Sequence, residues 1–377
     1  MEFLKAFSPN LQVASPGRIN LIGAHTDYNG GYVLPTAIDK KTTLFFQKNS
    51  SNTQCNVYSH TLRKGFTADL QQLKKSNVAW ENYILGVLYE IRKRTTALAG
   101  FDCTIDSTIP IGAGISASAA LSCGLATGLN ELFKLQLSKE EIILLCRDAE
   151  HRYAGTQCGI MDQYASVMSK EGAVMLLDCE TLAVTYIPIP VTPYRLLLLN
   201  SNITHHLASS AYNKRRASCE AGVQLLQKYY PAITSLGQVS EEMLAGVKDE
   251  IPELVYRRCS FVIAENRRVL AAVKALKNGN MQQLGLLLYQ THSGLRNDYE
   301  VSCPEIDYLV AFAKTYPQVL GARLMGGGFG GCTLNVVHED VVDDFIKAVK
   351  MAYQNRFQKE LDSLEAIPCG GTTITIL

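Results

Sequence analysis

The segment Pro110-Ile111-Gly112-Ala113-Gly114-Ile115-Ser116-Ala117-Ser118-Ala119-Ala120-Leu121 sets glycines and small hydroxyl side chains directly before a helix-forming run. Small residues let backbone N–H groups approach an anion, and a helix N-terminus adds positive potential. A phosphate cradle is one reading and a tight turn with a serine N-cap is the other; the segment alone leaves both open. It carries no lysine and so is not a Walker A loop. Gly112, Gly114 and Ala117 match the relaxed dinucleotide fingerprint, with Glu131 about 20 residues on. That acid should close a second strand, whereas Leu121 to Leu135 reads as one helix followed by another. The His-Arg-Asp and Asp-Phe-Gly signatures of protein kinases are absent.

Three further clusters could do chemistry. Ile143, Cys146 and Glu150 share one helix face, which sets an acid beside an apolar stripe. It is either a solvated edge residue paired with Arg147 or Arg152, or a partly buried carboxylate for a hard cation. Nucleotide-bound Mg²⁺ takes one or two carboxylates plus phosphate oxygens. In Gly159-Ile160-Met161-Asp162-Gln163, an aspartate among apolar residues either caps a helix or is held by a partner. Arg18, His25, Asp27 and Asn29 crowd together among Gly17, Gly23, Gly30 and Gly31, inside the otherwise apolar run Ile19 to Leu34. This suggests a polar ligand the size of a sugar, a hairpin turning at Asn29-Gly30, or both. Met325 to Cys332 is a second glycine loop, fit for close approach of a ligand or another backbone.

The elements that must position these residues are legible in part. Helical spacing joins Trp80, Ile84, Val87, Leu88 and Ile91, and again Leu121, Leu125, Leu129 and Leu132. Ser138-Lys139-Glu140-Glu141 predicts a capping box opening a helix with Ile142, Leu145 and Ala149 on its stripe. Glu339-Asp340 precede an amphipathic helix with Val342, Phe345, Ile346, Val349 and Tyr353. Strands are predicted at 173–177, 184–187, 195–199 and 333–337. Strands often follow one another directly, which fits α+β better than a βαβ repeat. Pro188, Pro190 and Pro193 mark a domain boundary near residue 190, giving domains 1–190 and 191–377.

Composition narrows the function. The chain has 377 residues, 47% hydrophobic, with 36 Lys+Arg against 35 Asp+Glu. Ordinary apolar content argues against disorder, and the missing basic surplus argues against a nucleic-acid partner. No apolar run approaches the ~20 residues of a membrane helix, and Met1 to Gln12 lacks the apolar stretch of a secretory signal. The eleven cysteines are scattered without a Cys-x-x-Cys pair, the pattern of reduced thiols in a cytoplasmic protein. Of seven histidines, only His205 and His206 are adjacent, as on opposite faces of a strand or in a loop, so no transition-metal site is expected.

Together, Gly17-Arg18-Ile19-Asn20-Leu21-Ile22-Gly23-Ala24-His25-Thr26-Asp27-Tyr28-Asn29-Gly30-Gly31, the loop Pro110 to Leu121, Cys158 to Gln163 and the loop 325–332 resemble the GHMP family of small-molecule kinases. Within it they are similar to the branch that phosphorylates galactose, as are Ser210 to Asn213 with Arg215-Arg216, and Asp298 to Pro304. The resemblance covers nearly the whole chain. It implies a two-domain α+β fold: an N-terminal domain of the ribosomal-protein-S5-like type, a C-terminal α/β sandwich, and a site in the cleft between them. It allows the last strand to return to the N-terminal domain.

The implied activity is transfer of a phosphoryl group from ATP, with Mg²⁺, to the anomeric C1 hydroxyl of galactose. The implied partners are sugar and ATP alone, acting on a monomer. By matching position, Asp162 is the implied catalytic base and Arg18 its charged neighbour, an arrangement that favours an ionised acid and stabilises transferring charge. Ala24, His25, Asp27, Gly159, Asp162 and Tyr212 match the sugar contacts. Gly112, Ala113, Gly114, Ile115, Ser116, Ala117 and Ser118 match the ATP-phosphate loop, and Ser118 and Glu150 the Mg²⁺ positions.

Two positions depart from the pattern. Ala117 replaces a serine of a Ser-Ser-Ser run, with Ser116 and Ser118 retained. Ala24 replaces a glutamate that resembles the receiver of the C6 hydroxyl. Losing a charged hydrogen bond costs roughly 1.5–3 kcal/mol. A glutamate there would also repel a C6 carboxylate by about 4 kcal/mol at an effective dielectric of 20. Gly23-Ala24-His25 is similar to the tripeptide of galacturonate kinases in the same family, although no Arg or Lys stands beside Ala24 in the sequence. Galacturonate is therefore the alternative substrate, and a non-catalytic galactose and ATP sensor is the alternative of another class.

Overall fold

Side chains along Leu11-Gln12-Val13-Ala14-Ser15 alternate between buried and part-buried, the period of a strand with one face on a core. The structure, a computed structural model, describes residues 1–110, 112–190, 192–203 and 208–377. Ile111, Val191 and the His205-His206 pair lie outside the described residues. The first half contains β1 (Leu11–Asn20), β2 (Tyr32–Val33), β3 (Pro35–Lys48), β4 (Gln54–Ser59) and β5 (Lys64–Asp69). Then come α1 (Ala79–Arg92), β6 (Phe101–Ser107), α2 (Ala117–Phe133), α3 (Lys139–Ala149), α4 (Met161–Met168), β7 (Ala173–Asp178) and β8 (Val184–Pro188). The second half continues with β9 (Tyr194–Asn200), α5 (Ala208–Leu226), α6 (Glu241–Ala245), α7 (Glu253–Lys277), α8 (Met281–Asn297) and α9 (Pro304–Ala313). It ends with β10 (Val319–Met325), β11 (Cys332–His338), α10 (Val342–Phe357), β12 (Asp362–Glu365), β13 (Pro368–Cys369) and β14 (Thr373–Ile376).

The largest sheet has the order β14-β1-β3-β6-β4-β5, with β13 also on β3. β4 and β6 run parallel, so the chain between them crosses over through α1. One core fills the face of this sheet: Val13, Leu44, Phe46, Val57 and Phe101 meet Ile84 and Val87 of α1, Leu125 and Leu129 of α2, and Ile142 of α3. The second half builds the sheet β10-β11-β9-β12, where Leu197, Leu199 and Val337 pack on Phe345, Val349 and Tyr353 of α10. A third core joins the halves. Ile19, Leu21 and Ile22 pack with Leu198, Val269, Leu288 and Leu334. The segment leaving β1 is thereby anchored in the second half.

The helices at 80–91, 121–132, 139–149 and 342–353 and the four strands form where their spacing predicts. The segment at Asn29-Gly30 differs. These residues end a 3-10 turn, with Gly30 in the left-handed region, and are not the tight two-residue turn of a hairpin but part of the long connection between the paired strands β1 and β3. β1 instead pairs with β3 up to Asn20 and Pro35, so residues 21–34 form a long excursion that touches the three-stranded sheet through β2 and β7. Burial of Leu21, Ile22, Val33 and Leu34 outweighs the local turn preference.

The capping box on α3 is complete: Glu141 N–H donates to Ser138 Oγ at 3.1 Å and Ser138 N–H to Glu141 Oε2 at 2.8 Å. Losing such a cap costs about 1 kcal/mol. Ser138→Ala should therefore speed amide exchange of Glu141 several-fold without altering exchange in α10; unchanged exchange would show that the cap contributes nothing.

Candidate active site

Arg18 organises the site. The β1–β3 register shifts between Pro16 and Arg18, a bulge that re-aims the arginine. At Gly17 a Cβ would stand 2.7 Å from the Ile115 carbonyl oxygen, so only glycine lets β1 lie against the glycine loop. The Arg18 N–H donates to that same carbonyl at 3.0 Å. Its side chain forks onto Asp162, Nε to Oδ1 at 2.7 Å and Nη2 to Oδ2 at 2.8 Å, and Nη1 donates to the Gly114 carbonyl at 2.8 Å. Ser116 Oγ also donates to Asp162 Oδ2. Ser116 is the N-cap residue of α2, yet its side chain makes no capping bond and turns to Asp162 instead. Charge-assisted, bidentate contacts of this kind are among the strongest and most directional a protein makes. Asp162, in the first turn of α4, is held by a partner and not by a cap.

A cavity of about 280 Å³ opens in front of this pair, and Arg18, Ala24, His25, Asp27, Glu150, Gly159, Asp162 and Tyr212 all line it. Gly159 is required beside Asp27, because a Cβ there would fall 2.1 Å from Asp27 Oδ2. Burial, then the nearby Asp162, push the Asp27 carboxyl up to about 6. His25 is buried with φ 61° and packs against the rings of Tyr299 at 4.8 Å, Tyr212 at 5.4 Å and Tyr28 at 5.8 Å. Burial, then Arg215 and Arg323, lower its pKa to about 3, so the imidazole is neutral. Nδ1 bonds the Tyr28 hydroxyl at 2.8 Å, while Nε2 makes no well-formed hydrogen bond among the described residues, although the Gly327 backbone acts on the ring. A buried, unpaired imidazole nitrogen beside a cavity is suited to a ligand hydroxyl.

Ala24 is buried on the same wall. The sequence places no Arg or Lys beside it; in the fold, Arg323 of β10 lines the same cavity. Arg323 is fully buried and donates to the carbonyls of Leu21 at 2.7 Å, Leu324 at 2.8 Å and Asn20. Among the described residues it makes no ion pair, and burial lowers its pKa to about 10. Its one sequence signal is a charged residue inside the apolar strand Val319–Met325, two residues before the second glycine loop.

The first glycine loop serves two places. Ala113 and Ile115 point into the core beneath it, Gly114 and Ser116 face the Arg18–Asp162 pair, and Gly112, Ala117 and Ser118 line a second cavity of about 340 Å³. That cavity is walled mainly by Trp80, Tyr83, Ile105, Ile109 and Leu121, and the buried indole Nε1 of Trp80 has no partner among the described residues. The sequence reading places Trp80 only in a helix stripe and does not single out Tyr83, since nothing local ties α1 to the loop.

Glu150 sits where α3 passes into the π-helical turn Glu150–Ala154 and is buried. Arg147 and Arg152 pair with Asp148 and Glu90, so neither compensates it. It accepts from Gln163 Nε2 at 3.3 Å, and burial, then Asp162, push its pKa up to about 8. Gln163 Oε1 is buried without a partner among the described residues. A buried carboxylate and a free amide oxygen together suit a hard cation.

Carboxyls titrate near 4 in an unfolded chain. Between that value and the folded pKa, about 6 for Asp27 and about 8 for Glu150, the folded state keeps protons that the unfolded state has released. These two groups therefore favour folding fully below about pH 4 and lose that contribution as pH rises to about 8. In protein free of nucleotide and divalent cation, Glu150→Gln should flatten the fall in melting temperature between pH 6 and 8 (about the range set by these shifts). Parallel profiles for parent and variant would show that Glu150 does not carry it.

Three family models match the chain: the galactokinase galactose-binding signature over residues 1–48, the GHMP kinases N terminal domain over 82–170 and the GHMP kinases C terminal domain over 272–355. A galactokinase of Roseiflexus sp. is 40% identical over 92% of this chain and 88% of its own. One from Thermosipho africanus is 40% identical over 92% of this chain and 95% of its own. The crystal structure of Lactococcus lactis galactokinase complexed with galactose superposes with a TM-score of 0.92 at 33% identity, covering 99% of this chain and 97% of that one. A mevalonate kinase at 18% identity and a TM-score of 0.65 shares the fold. With its site assembled between the two glycine loops and these likenesses spanning nearly its whole length, the chain belongs to the galactokinase family of GHMP kinases.

Proposed function

We propose that the protein transfers the γ-phosphoryl group of ATP to the C1 hydroxyl of galactose, yielding galactose 1-phosphate and ADP. The observation that carries this reading is the forked Arg18–Asp162 pair on the wall of a sugar-sized cavity, directly against the glycine loop. Asp162 accepts the proton of the C1 hydroxyl as that oxygen bonds the γ-phosphorus, and the bond to the β,γ-bridging oxygen breaks with its electrons leaving on ADP. Such transition states are loose, so positioning and charge stabilisation matter more than prior proton removal. Arg18 supplies both, since it orients the acid and adds positive potential beside the transferring group. Asp27, His25 Nε2, Tyr212 and the Gly159 backbone receive the remaining hydroxyls.

Residues 112–118 take the phosphates, and the apolar cavity of Trp80 and Tyr83 takes the base. Ser118 and Glu150 would hold Mg²⁺, and Tyr83 interacts with both; the ion would neutralise charge on the phosphate oxygens. A boundary near residue 190 makes the cavity a cleft, with Tyr212, Arg323 and Gly326 to Gly328 contributed from beyond it. All eleven cysteines are free, which supports a reducing, cytoplasmic setting.

A second reading is favoured by one observation: position 24 carries no acid, while Arg323 lines the same cavity and makes no ion pair among the described residues. A C6 carboxylate would meet less repulsion there, and galacturonate is the substrate of that reading. ADP release with Mg-ATP should be fast with galactose and slow with galacturonate, N-acetylgalactosamine and glucose. Preference for galacturonate would move the assignment to the second reading. Silence with all four, with ATP still bound, would make the protein a sensor. Ala24→Glu should lower the galactose KM about tenfold, the worth of one charged hydrogen bond; an unchanged KM would mean that residue 24 does not face C6.

A further inference from the structure

We infer that Glu265 and Arg323 form a clamp that sets the backbone of the sugar-binding loop, with Glu265 as its positioning residue; this rests on the sugar-binding reading above. The loop from Asn20 to Ala24 is gripped at both kinds of backbone group. Arg323 takes the carbonyls of Asn20 and Leu21, and Glu265 Oε1 takes the N–H groups of Gly23 at 2.9 Å and Ala24 at 3.0 Å. Both side chains come from the second half of the chain, Glu265 from α7 and Arg323 from β10. Glu265 is fully buried and does not line the sugar cavity, so it reaches a ligand only through the loop.

The carboxylate is itself held. Its Oε2 accepts from Arg268 Nε at 2.7 Å and from Thr291 Oγ1 at 2.9 Å, which satisfies a buried charge that would otherwise be costly. The asparagine next to it, Asn266, accepts the Tyr32 N–H at 3.0 Å, so one turn of α7 holds the loop on both sides of Asp27. The gripped segment turns at Gly23, whose φ of 96° glycine adopts freely, and leads into His25, a non-glycine residue at φ 61°. A non-glycine residue in the left-handed region persists only where its surroundings over-determine it. That conformation keeps the His25 ring in its tyrosine cage with Nε2 unpaired beside the cavity. The clamp thus ties the direction of His25 and Asp27 to the packing of α7 against the first half.

The test separates sugar from nucleotide. Glu265→Gln keeps the shape but removes the charge that two N–H groups share. It should raise the galactose KM at least about tenfold, with the ATP KM and the kcat at saturating galactose little changed. Thr291→Val, which removes one orienting hydrogen bond and keeps the volume, should raise the galactose KM about threefold in the same selective way. A folded Glu265→Gln protein with the parent galactose KM, or with both KM values raised equally, would overturn the clamp. If Glu265→Gln does not fold, an unchanged galactose KM in Thr291→Val overturns it. The parent protein is the control: absence of galactose turnover there rejects the sugar-binding reading itself, whereas normal parent turnover with insensitive variants rejects only the clamp.

Discussion

The guanidinium of Arg18 is the constraint on which the site depends. One planar fork fixes both oxygens of Asp162 while its third arm holds the Gly114 carbonyl, so strand β1, the first glycine loop and helix α4 meet at a single side chain. A lysine at that position would offer a compact charge without the fork and could not bond all three partners in one geometry. The two requirements on the backbone follow from it. β1 must bulge to aim the arginine, and Gly17 must lack a side chain so that the loop can close over the strand.

Burial then sets the electrostatic character of the cavity. Asp27 and Glu150 are pushed up in pKa while His25 and Arg323 are pushed down, all chiefly by desolvation. A site poised in this way is short of compensating charge and hydrogen bonds. A polyhydroxylated ligand, phosphate groups and a cation would supply what it lacks. The unpaired His25 Nε2, Trp80 Nε1 and Gln163 Oε1 tell the same story atom by atom, because buried polar atoms without partners are uncommon in folded proteins. The protein holds them in readiness at some cost in stability, a frequent trade between function and folding.

Much of this was legible in the sequence, for physical reasons that differ by residue. The capping box at Ser138 and the stripes of α1, α2 and α10 are local patterns, and local patterns survive folding when the core agrees with them. Arg18, Asp27 and Asp162 stood out because charged residues among apolar neighbours need a reason. Arg323 broke the same rule in a short strand that the sequence did not single out, whereas Glu265 stands beside Asn266, Arg267 and Arg268 in a helix, where a charge reads as a surface residue. Their role depends on contacts spanning 242 and 303 residues, which no local pattern encodes. The Asn29-Gly30 turn failed for the converse reason: a strong local signal yielded to burial of the flanking leucines, isoleucine and valine. Trp80 lines the second cavity because α1 packs beside the loop in space.

The central claim is that the carboxylate held by Arg18 takes part in phosphoryl transfer and not in sugar contact alone. Single-turnover transfer from labelled ATP to galactose in Asp162→Asn protein tests it most directly, alongside equilibrium binding of both substrates. The account predicts that transfer slows by about a thousandfold or more, the scale of general base catalysis, while ATP binding is preserved. Transfer at close to the parent rate would contradict it.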